Sequence, residues 1–326
     1  MKKKTSKFKK KKEVVAPVVK KTALSLPILP VISGLLLISI VAVIIGTLLL
    51  LFHIRFNKIE AITSKETSDI NFSYFIKRPD ALSSAKSIIV YDASLGVSLL
   101  TKNENVRFSP ASTAKIMSAL VALDHYGLDE VLSYDSVLAG ADNSKMGLFV
   151  GEKMSVRNLI YGMMLPSGND AALLLARNYP GGLGGFVAAM NSKAQEIGLS
   201  STFFVDPSGY KDENYSTSYD LARLGAFALA HPFLSEVVKT QKIVVYDVTG
   251  VIPHTLTNLN ELLELPGVNG VKTGFTNEAE GVLVTSFLYN EKQYVIVVLK
   301  SKDRFQDTRE LINGIINDLK NEEISY

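Results

Sequence analysis

The pattern of apolar and polar positions changes twice along the chain. Two short apolar runs, at 87–91 and 97–101, flank Asp92-Ala-Ser-Leu-Gly96, which predicts a β-hairpin. The middle of the chain carries apolar residues at helical spacing, and the last third returns to strand-like runs. The predicted helices are 114–126, 155–165, 170–178, 218–230 and 304–319, and the predicted later strands are 270–276, 281–288 and 293–300.

Strands at both ends of this region, with helices between them, predict a single antiparallel sheet. The two chain ends would build the sheet and the helices would pack on it, which is an α+β fold. The region 81–322 is long enough to form one well-buried domain.

An uncharged segment precedes this domain. No residue from 22 to 52 is charged, and the most apolar part, 31–52, has 22 residues. A bilayer core needs about 20 apolar residues in a helix, whereas cleavable signal peptides have cores of about 7–15. The run ends in Leu-Phe-His-Ile-Arg, which is a poor cleavage site. The pattern predicts one transmembrane helix, an uncleaved anchor within 22–53; a buried core helix is the alternative.

The charge distribution predicts the orientation of this anchor. Residues 1–21 contain ten lysines and one glutamate, whereas the rest of the chain is mildly acidic and the net charge is +3. Positive flanks stay in the cytoplasm. We therefore expect a cytoplasmic tail at 1–21, a polar stalk at 54–80 and an extracytoplasmic domain at 81–322, in a single-pass protein of the cell membrane. The acidic body argues against a nucleic-acid partner, although the lysine tail could contact nucleic acid or anionic lipid.

Composition removes several kinds of chemistry. Without cysteine, the chain has no disulfide, no thiolate metal site and no cysteine nucleophile. Its four histidines are scattered, and none stands in His-Glu-x-x-His spacing, which argues against a zinc hydrolase. We therefore predict no metal site.

The segment Ser109-Pro-Ala-Ser-Thr-Ala-Lys115 is the first candidate for catalysis. Its composition predicts a helix start, with Ser109 as the N-cap and Pro110 at the first helical position. Ser112 and Lys115 are three residues apart and so share a helix face. A serine nucleophile requires a base, and Lys115 can supply one if burial lowers its pKa. The helix N-terminus would favour the neutral lysine and stabilise an oxyanion.

The Ser-x-x-Lys pattern of Ser112 and Lys115 is a weak signal alone, because other copies of it begin at Ser6 and at Ser83.

Two further motifs carry candidate chemistry. Ser167-Gly-Asn169 separates two predicted helices and could aim side chains into a cleft; a simple turn is the alternative. Lys272-Thr-Gly274 lies on a predicted strand, where glycine often marks the close approach of a ligand. Its alternative is a bulge with a solvated lysine.

The three motifs, in this order, form the signature of serine β-lactamases and penicillin-binding proteins. The longer stretches 107–117, 164–172 and 270–276 resemble the serine-type D-alanyl-D-alanine carboxypeptidases, which are low-molecular-mass penicillin-binding proteins. The resemblance extends over about 85–320 and implies a β-lactamase/transpeptidase-like fold.

The resemblance also implies a reaction. Ser112 would attack the peptide bond between the two terminal D-alanines of a peptidoglycan stem peptide, and water would hydrolyse the acyl-enzyme without a metal or an organic cofactor. β-Lactam antibiotics would acylate the same serine. Lys115 would take the serine proton, and Ser167 would relay a proton to the leaving amine. The implied substrate-binding residues are Asn169 for Lys115 and the substrate amide, Lys272 and Thr273 for the terminal carboxylate, Gly274 beside them, and the N–H of Phe275, with that of Ser112, for the oxyanion.

The chain departs from the family pattern at several positions. Asp206-Pro-Ser-Gly-Tyr210 stands where many relatives have Asn-Pro-His-Gly-Leu, and Phe275 stands where many have histidine. Leu259 stands where some relatives have a cation, so we expect carboxylate binding to be weaker or to recruit Arg304. The second, β-rich domain and the C-terminal amphipathic anchor of many relatives are expected to be absent.

Three alternatives remain open at this point. A β-lactamase of class A would need an added glutamate, typically in Glu-x-x-Leu-Asn, and no such segment lies between Asn169 and Lys272. A D,D-endopeptidase that cuts cross-links would carry the same motifs. A catalytically silent wall-binding protein would not require Ser112, Lys115 and Lys272 to be intact.

Overall fold

The computed structural model describes residues 83–137 and 144–324, with side chains up to residue 317. The predicted tail (1–21), anchor (22–53) and stalk (54–80) lie outside the described residues. The strands, in chain order, are β1 (Ser87–Asp92), β2 (Val97–Lys102), β3 (Val131–Tyr134), β4 (Glu152–Ser155), β5 (Lys242–Tyr246), β6 (Pro253–Thr257), β7 (Val268–Thr276), β8 (Glu280–Tyr289) and β9 (Lys292–Ser301).

One antiparallel sheet joins the two ends of the described chain. Its strand order is β2-β1-β9-β8-β7, and every neighbouring pair is antiparallel. The pairing of β1 with β9 begins with Ser87 opposite Leu299 and ends with Asp92 opposite Tyr294. The predicted α+β fold, with a sheet built from both ends of the domain, is confirmed.

Both faces of this sheet are buried. Side chains alternate between the two faces of a strand. In β9, Val295 and Val297 join the core that contains the central helices, whereas Ile296 and Val298 pack with Leu311 near the end of the chain. The strand therefore has apolar residues at consecutive positions, as expected for a strand covered on both sides.

Helices fill the middle of the chain and cover the sheet. They are α1 (Lys115–His125), α2 (Val156–Met164), α3 (Asn169–Asn178), α4 (Gly182–Glu196), α5 (Ser218–Leu229), α6 (Pro232–Lys239) and α7 (Arg304–Ile324). Helix α5 lies directly on the sheet at Gly225, where a Cβ atom would stand 3.0 Å from Val284 Cγ1 and 3.3 Å from Val295 Cγ1. Helix α7 covers the opposite face.

The structure adds elements that the pattern does not predict. The predicted helices and strands are all present, with ends that differ by at most five residues. The helices α4 and α6 and the two hairpins β3–β4 and β5–β6 are additional. The hairpins form separate two-stranded sheets beside the central helices.

Within the described residues, no single helix has both the length and the hydropathy to cross a membrane. Helices α5 and α6 together meet the length and composition criteria, but they are bent by 107° relative to each other.

Candidate active site

Ser112 lies in a tight turn that precedes α1. Residues Ala111–Ala114 form one turn of 3₁₀ helix. The Pro110 carbonyl accepts hydrogen bonds from the N–H and from the hydroxyl of Thr113, at 3.2 and 2.6 Å, and these bonds close the turn. Ala111 adopts a φ of +46°, in the left-handed region. The backbone itself thus turns Ser112 into position.

Ser109 does not cap this turn, so that prediction is wrong. Pro110, and not Ser109, takes the N-cap position, and no side chain caps the turn. The buried Ser109 hydroxyl has no hydrogen-bond partner among the described residues. The Pro110 carbonyl accepts the hydrogen bond that closes the 3₁₀ turn, so the turn begins one residue later than the α-helix start expected from the sequence.

Lys115 and Ser112 are in direct contact, as their spacing predicts. Lys115 is fully buried, and its Nζ donates hydrogen bonds to Ser112 Oγ at 3.0 Å and to the Ser208 carbonyl at 2.7 Å. A lysine with no access to water holds its charge at a cost. Burial lowers the pKa of Lys115 to about 7, against the opposing fields of the Asp206 and Asp170 carboxylates. The amine is therefore close to half neutral near neutral pH.

The segment 206–210 supplies a second hydrogen-bond partner for Lys115. In the sequence, this segment stands out only as a departure from the family pattern. The Ser208 carbonyl accepts from Lys115, and the Pro207 carbonyl accepts a 2.5 Å hydrogen bond from Ser118 Oγ on α1. Gly209 has a φ of +73°, and a Cβ atom there would stand 1.8 Å from the Ala111 carbonyl oxygen. Glycine is required at this position by both conformation and space.

Ser167 and Asn169 lie where α2 gives way to α3. Ser167 adopts a φ of +64°, and its buried hydroxyl has no hydrogen-bond partner among the described residues. A strained residue with an unsatisfied hydroxyl is a feature that active sites retain. Asn169 is buried at the first position of α3, and its N–H donates to the Ser144 carbonyl at 2.7 Å.

Asp170 holds the segment 146–148 in place, a role that the sequence does not predict. Its carboxylate accepts hydrogen bonds from the N–H groups of Met146, Gly147 and Leu148, at 2.8, 2.8 and 3.1 Å. An acidic residue in the first turn of a helix is the one signal in the sequence, but that position also suits the helix dipole without any further role.

Lys272 lies on β7 and is almost completely buried, with 2% of its surface exposed. Its Nζ donates to the Thr273 carbonyl at 3.1 Å. Burial lowers the pKa of Lys272 well below its usual value, and the positive charges of Lys115 and Arg304 act in the same direction. The alternative of a solvated lysine is wrong, although β7 does have an irregular register between Val268 and Gly270.

The strand β7 passes directly against the Ser112 turn. A Cβ atom at Gly274 would stand 3.0 Å from Ser112 N and 3.2 Å from the Pro110 carbonyl oxygen. Glycine at this position therefore allows the strand to approach Ser112. The next residue, Phe275, is 60% exposed and its side chain lies at the rim.

A cavity of about 440 Å³ opens beside Ser112; Ser167, Lys272 and Thr273 are not among the residues that line it. Three predicted residues line it: Ser112, Asn169 and Phe275. Lys115 lies behind Ser112, to which its Nζ donates a hydrogen bond. Gly274 packs beside Ser112 N. The remaining lining residues are Ser144, Gly209, Tyr210, Thr276 and Asn277. In the described part of the chain, no group of three or more histidine, aspartate or glutamate side chains is placed to hold a metal ion.

A serine hydroxyl against a buried lysine, beside an antiparallel sheet edge that carries Lys-Thr-Gly, is an arrangement found in serine hydrolases. The sequence profile of the peptidase S11 family, D-alanyl-D-alanine carboxypeptidase, matches residues 75–303. The chain belongs to this family of serine peptidases.

Individual relatives agree with this assignment. A D-alanyl-D-alanine carboxypeptidase of Bacillus subtilis is 34% identical over 221 residues, which are 66% of this chain and 57% of that protein. A D-alanyl-D-alanine endopeptidase of Pseudomonas aeruginosa is 36% identical over 230 residues, which are 67% of this chain and 72% of that protein. The chain thus spans little more than half of the length of the Bacillus relative.

Solved structures share the fold. The Streptomyces K15 DD-transpeptidase matches with a TM-score of 0.67 and 33% identity, over 71% of this chain and 97% of that one. A D-alanyl-D-alanine carboxypeptidase from Mycobacterium tuberculosis matches with a TM-score of 0.67 and 31% identity, over 72% of this chain and 92% of that one. The described chain therefore has the α+β fold of the DD-peptidases and β-lactamases.

Replacing Gly209 tests whether the 206–210 segment supports the nucleophile. In Gly209→Ala, the new Cβ would displace the Ala111 carbonyl beside Ser112, so labelling by benzylpenicillin should be lost. The free energy of unfolding should fall by more than the cost of left-handed strain alone, which is about 1–3 kcal/mol. Gly250→Ala is the matched control, because Gly250 has the same φ of +73° and no atom within 4 Å of a Cβ. The control should cost the strain alone and retain labelling. Equal labelling of both variants, read by intact mass, would contradict the assignment.

Proposed function

We propose that the protein is a D,D-carboxypeptidase that removes the terminal D-alanine from peptidoglycan stem peptides through an acyl-enzyme on Ser112. The observation that carries the proposal is the 3.0 Å contact between Ser112 Oγ and the buried Nζ of Lys115, whose pKa is lowered to about 7. A base with a pKa near the working pH is well suited to proton transfer.

The acylation step uses this pair directly. Neutral Lys115 accepts the Ser112 proton as Oγ bonds to the carbonyl carbon of the penultimate residue. The oxyanion receives hydrogen bonds from the N–H groups of Ser112 and Phe275. Ser167, with its unpartnered buried hydroxyl, relays the proton to the leaving D-alanine amine as the peptide bond breaks. Water then attacks the ester, which regenerates Ser112 and releases the shortened peptide.

The substrate carboxylate is expected to meet Lys272 and Thr273. The charges that act on Lys272 are those of Lys115 and Arg304, both positive, and burial also disfavours its ammonium form. A substrate carboxylate would supply the opposite charge and favour the ammonium form. Arg304 is half-buried, and its Nε has no hydrogen-bond partner among the described residues, which supports a share for it in the same contact.

A second candidate function is cleavage of cross-links. The Pseudomonas relative is a D-alanyl-D-alanine endopeptidase, and its identity to this chain is as high as that of the Bacillus carboxypeptidase. Both reactions form the same acyl-enzyme and differ in the leaving group. Incubation with defined monomeric and cross-linked muropeptides would separate them, because a carboxypeptidase releases free D-alanine and leaves the cross-links intact.

The location of the enzyme is part of the proposal. The apolar, uncharged segment within 22–53 and the lysine-rich tail 1–21 support a membrane anchor with the catalytic domain 81–322 outside the cytoplasm. Peptidoglycan is assembled on that side, so the enzyme would meet its substrate there.

Ser112→Ala should abolish covalent labelling by benzylpenicillin, with a loss of activity of about 10⁴–10⁶-fold, since the bond-forming oxygen is removed. The matched control is Ser83→Ala, which removes the serine of another Ser-x-x-Lys segment and should be labelled as fast as wild type. Intact-protein mass spectrometry after incubation with the penicillin gives the result. Labelled Ser112→Ala protein would refute the nucleophile assignment.

Lys272→Met should slow acylation by substrates with a free C-terminal carboxylate by about 10- to 150-fold. The lost charge-assisted contact is worth roughly 1.5–3 kcal/mol. Methionine keeps most of the buried volume, which alanine would not. A substrate with an amidated C-terminus should react slowly with wild type and lose little more in the variant. If both substrates lose the same factor in kcat/KM, Lys272 does not recognise the carboxylate.

The topology has its own test. Protease added to intact, wall-stripped cells should digest or release the catalytic domain and leave the epitope of a tag within residues 1–21 protected. A protected catalytic domain would exclude the proposed orientation, whereas the peptidase assignment would be unaffected.

A further inference from the structure

A single carboxylate organises the turn that faces Lys115. Asp206 Oδ1 accepts hydrogen bonds from Ser208 N at 2.7 Å, from Ser208 Oγ at 2.6 Å and from Gly209 N at 2.9 Å. Asp206 Oδ2 accepts from Lys211 N at 2.9 Å and from Asn214 Nδ2 at 2.6 Å. The carboxylate therefore gathers donors from both ends of the turn.

Asn214 completes the turn from the other side. It is fully buried, and its Oδ1 accepts hydrogen bonds from Val205 N at 2.9 Å and from Asp206 N at 3.4 Å. The amide orientation is thus fixed, with Nδ2 toward the carboxylate. A neutral asparagine at position 206 would place its own amide group against the N–H of Lys211 and the Nδ2 of Asn214, both of which are donors.

The turn presents three consecutive residues to the nucleophile segment. The Pro207 carbonyl accepts from Ser118, and the Ser208 carbonyl accepts from Lys115 Nζ at 2.7 Å. Gly209 packs against the Ala111 carbonyl with no room for a Cβ. A shift of the turn would therefore change the position of the lysine amine relative to Ser112 Oγ.

The charge of Asp206 also acts on Lys115. Burial tends to raise the pKa of the Asp206 carboxyl, but the hydrogen bonds from Ser208, Lys211 and Asn214 hold it below its usual value, so the group is ionised. The charged groups that act on Lys115 are Asp206 and, more weakly, Asp170 on α3, both of which raise its pKa.

A second buried lysine also interacts with Lys115. Lys272 on β7 interacts electrostatically with Lys115, and Arg304 acts on Lys272 in turn. The Lys115 amine is thus subject to the fields of two carboxylates and of a second buried lysine.

We propose that Asp206 is a positioning residue of the active site, which holds the Ser208 carbonyl against Lys115 Nζ and whose negative charge raises the pH at which Ser112 becomes reactive. The proposal rests on the role of Lys115 as the base for Ser112. It gives the carboxylate two separable effects: hydrogen bonds that fix the turn, and a charge that favours the ammonium form of Lys115.

The charge effect predicts a direction. Acylation requires the neutral amine, so its rate in wild type should rise with pH through about 7. Removal of the Asp206 charge disfavours the ammonium form of Lys115. The rising limb of the plot of acylation rate against pH should therefore move to lower pH. An opposite charge at short range shifts a pKa by on the order of one unit. At pH 6, the rate relative to its plateau should then increase about fivefold.

The test uses the purified full-length protein in detergent and benzylpenicillin as the probe. The rate constant for acylation of Ser112 is measured from pH 5 to 9 for wild type, Asp206→Asn and the control Asp247→Asn. Asp247 caps a similar turn in the β5–β6 hairpin, where it accepts from the N–H groups of Thr249, Val251 and Ile252. Both variants should lose stability, but only Asp206→Asn should move the limb. A rate constant reports on the folded fraction alone, so partial unfolding lowers the amplitude only.

A second variant guards against a protein that fails to fold. The double variant Asp206→Asn, Asn214→Asp lets the amide at 206 donate to a carboxylate at 214. It moves the negative charge from residue 206 to residue 214. Its limb should lie between those of wild type and Asp206→Asn. An unchanged limb in both variants, or no labelled protein from either while Asp247→Asn is labelled, would overturn the proposal and leave Asp206 a purely structural role.

Failure of the proposed function would look different. Wild-type protein would then not be acylated on Ser112, or Lys115→Met would be acylated at the wild-type rate. Neither result involves Asp206, so the two proposals fail separately.

Discussion

The removal of Lys115 from water is the constraint on which the rest of the site depends. In water, the amine would remain protonated at neutral pH and could not accept a proton from Ser112. Complete burial lowers the pKa of Lys115 to about 7, so that a large fraction of the amine is neutral, and the Ser208 carbonyl supplies the hydrogen bond that solvent would otherwise give. The surrounding elements each exclude water or hold this contact: the 3₁₀ turn, the Asp206 turn and the strand β7.

This constraint accounts for residues whose side chains carry out no chemistry. Gly209 and Gly274 are the two places where backbone segments press against the Ser112 turn, and any larger residue would separate them. The absence of a side chain at these positions is what allows the burial of Lys115. Asp170 fastens the segment 146–148 in the same way, with a carboxylate that collects backbone N–H groups.

The sequence predicted the sheet and the pairing of Ser112 with Lys115 because both depend on local pattern or short spacing. It did not predict α4, which begins with the poor helix formers Gly-Leu-Gly-Gly, or α6, which with eight residues is too short for its pattern to identify a helix. The hairpin β3–β4 joins strands of four residues across a long connection, so no turn signal marks it. The Ser109 prediction was wrong because propensity describes α-helix starts, and the chain forms a 3₁₀ turn there. The role of Asp206 depends on contacts that only the folded turn creates.

The pairing of Ser87 with Leu299 has a consequence for when activity begins. The central strands of the sheet come from opposite ends of the domain, so β1 cannot pair with β9 until residues 292–301 have been synthesised. Contacts this distant in sequence form slowly, and domains made from the N-terminus onward wait for them. Because β7 reaches Ser112 as part of the same sheet, Ser112 and Lys115 are made early but have no complete site around them. A chain interrupted before residue 292 would lack β9, so the site is in this way coupled to completion of the domain.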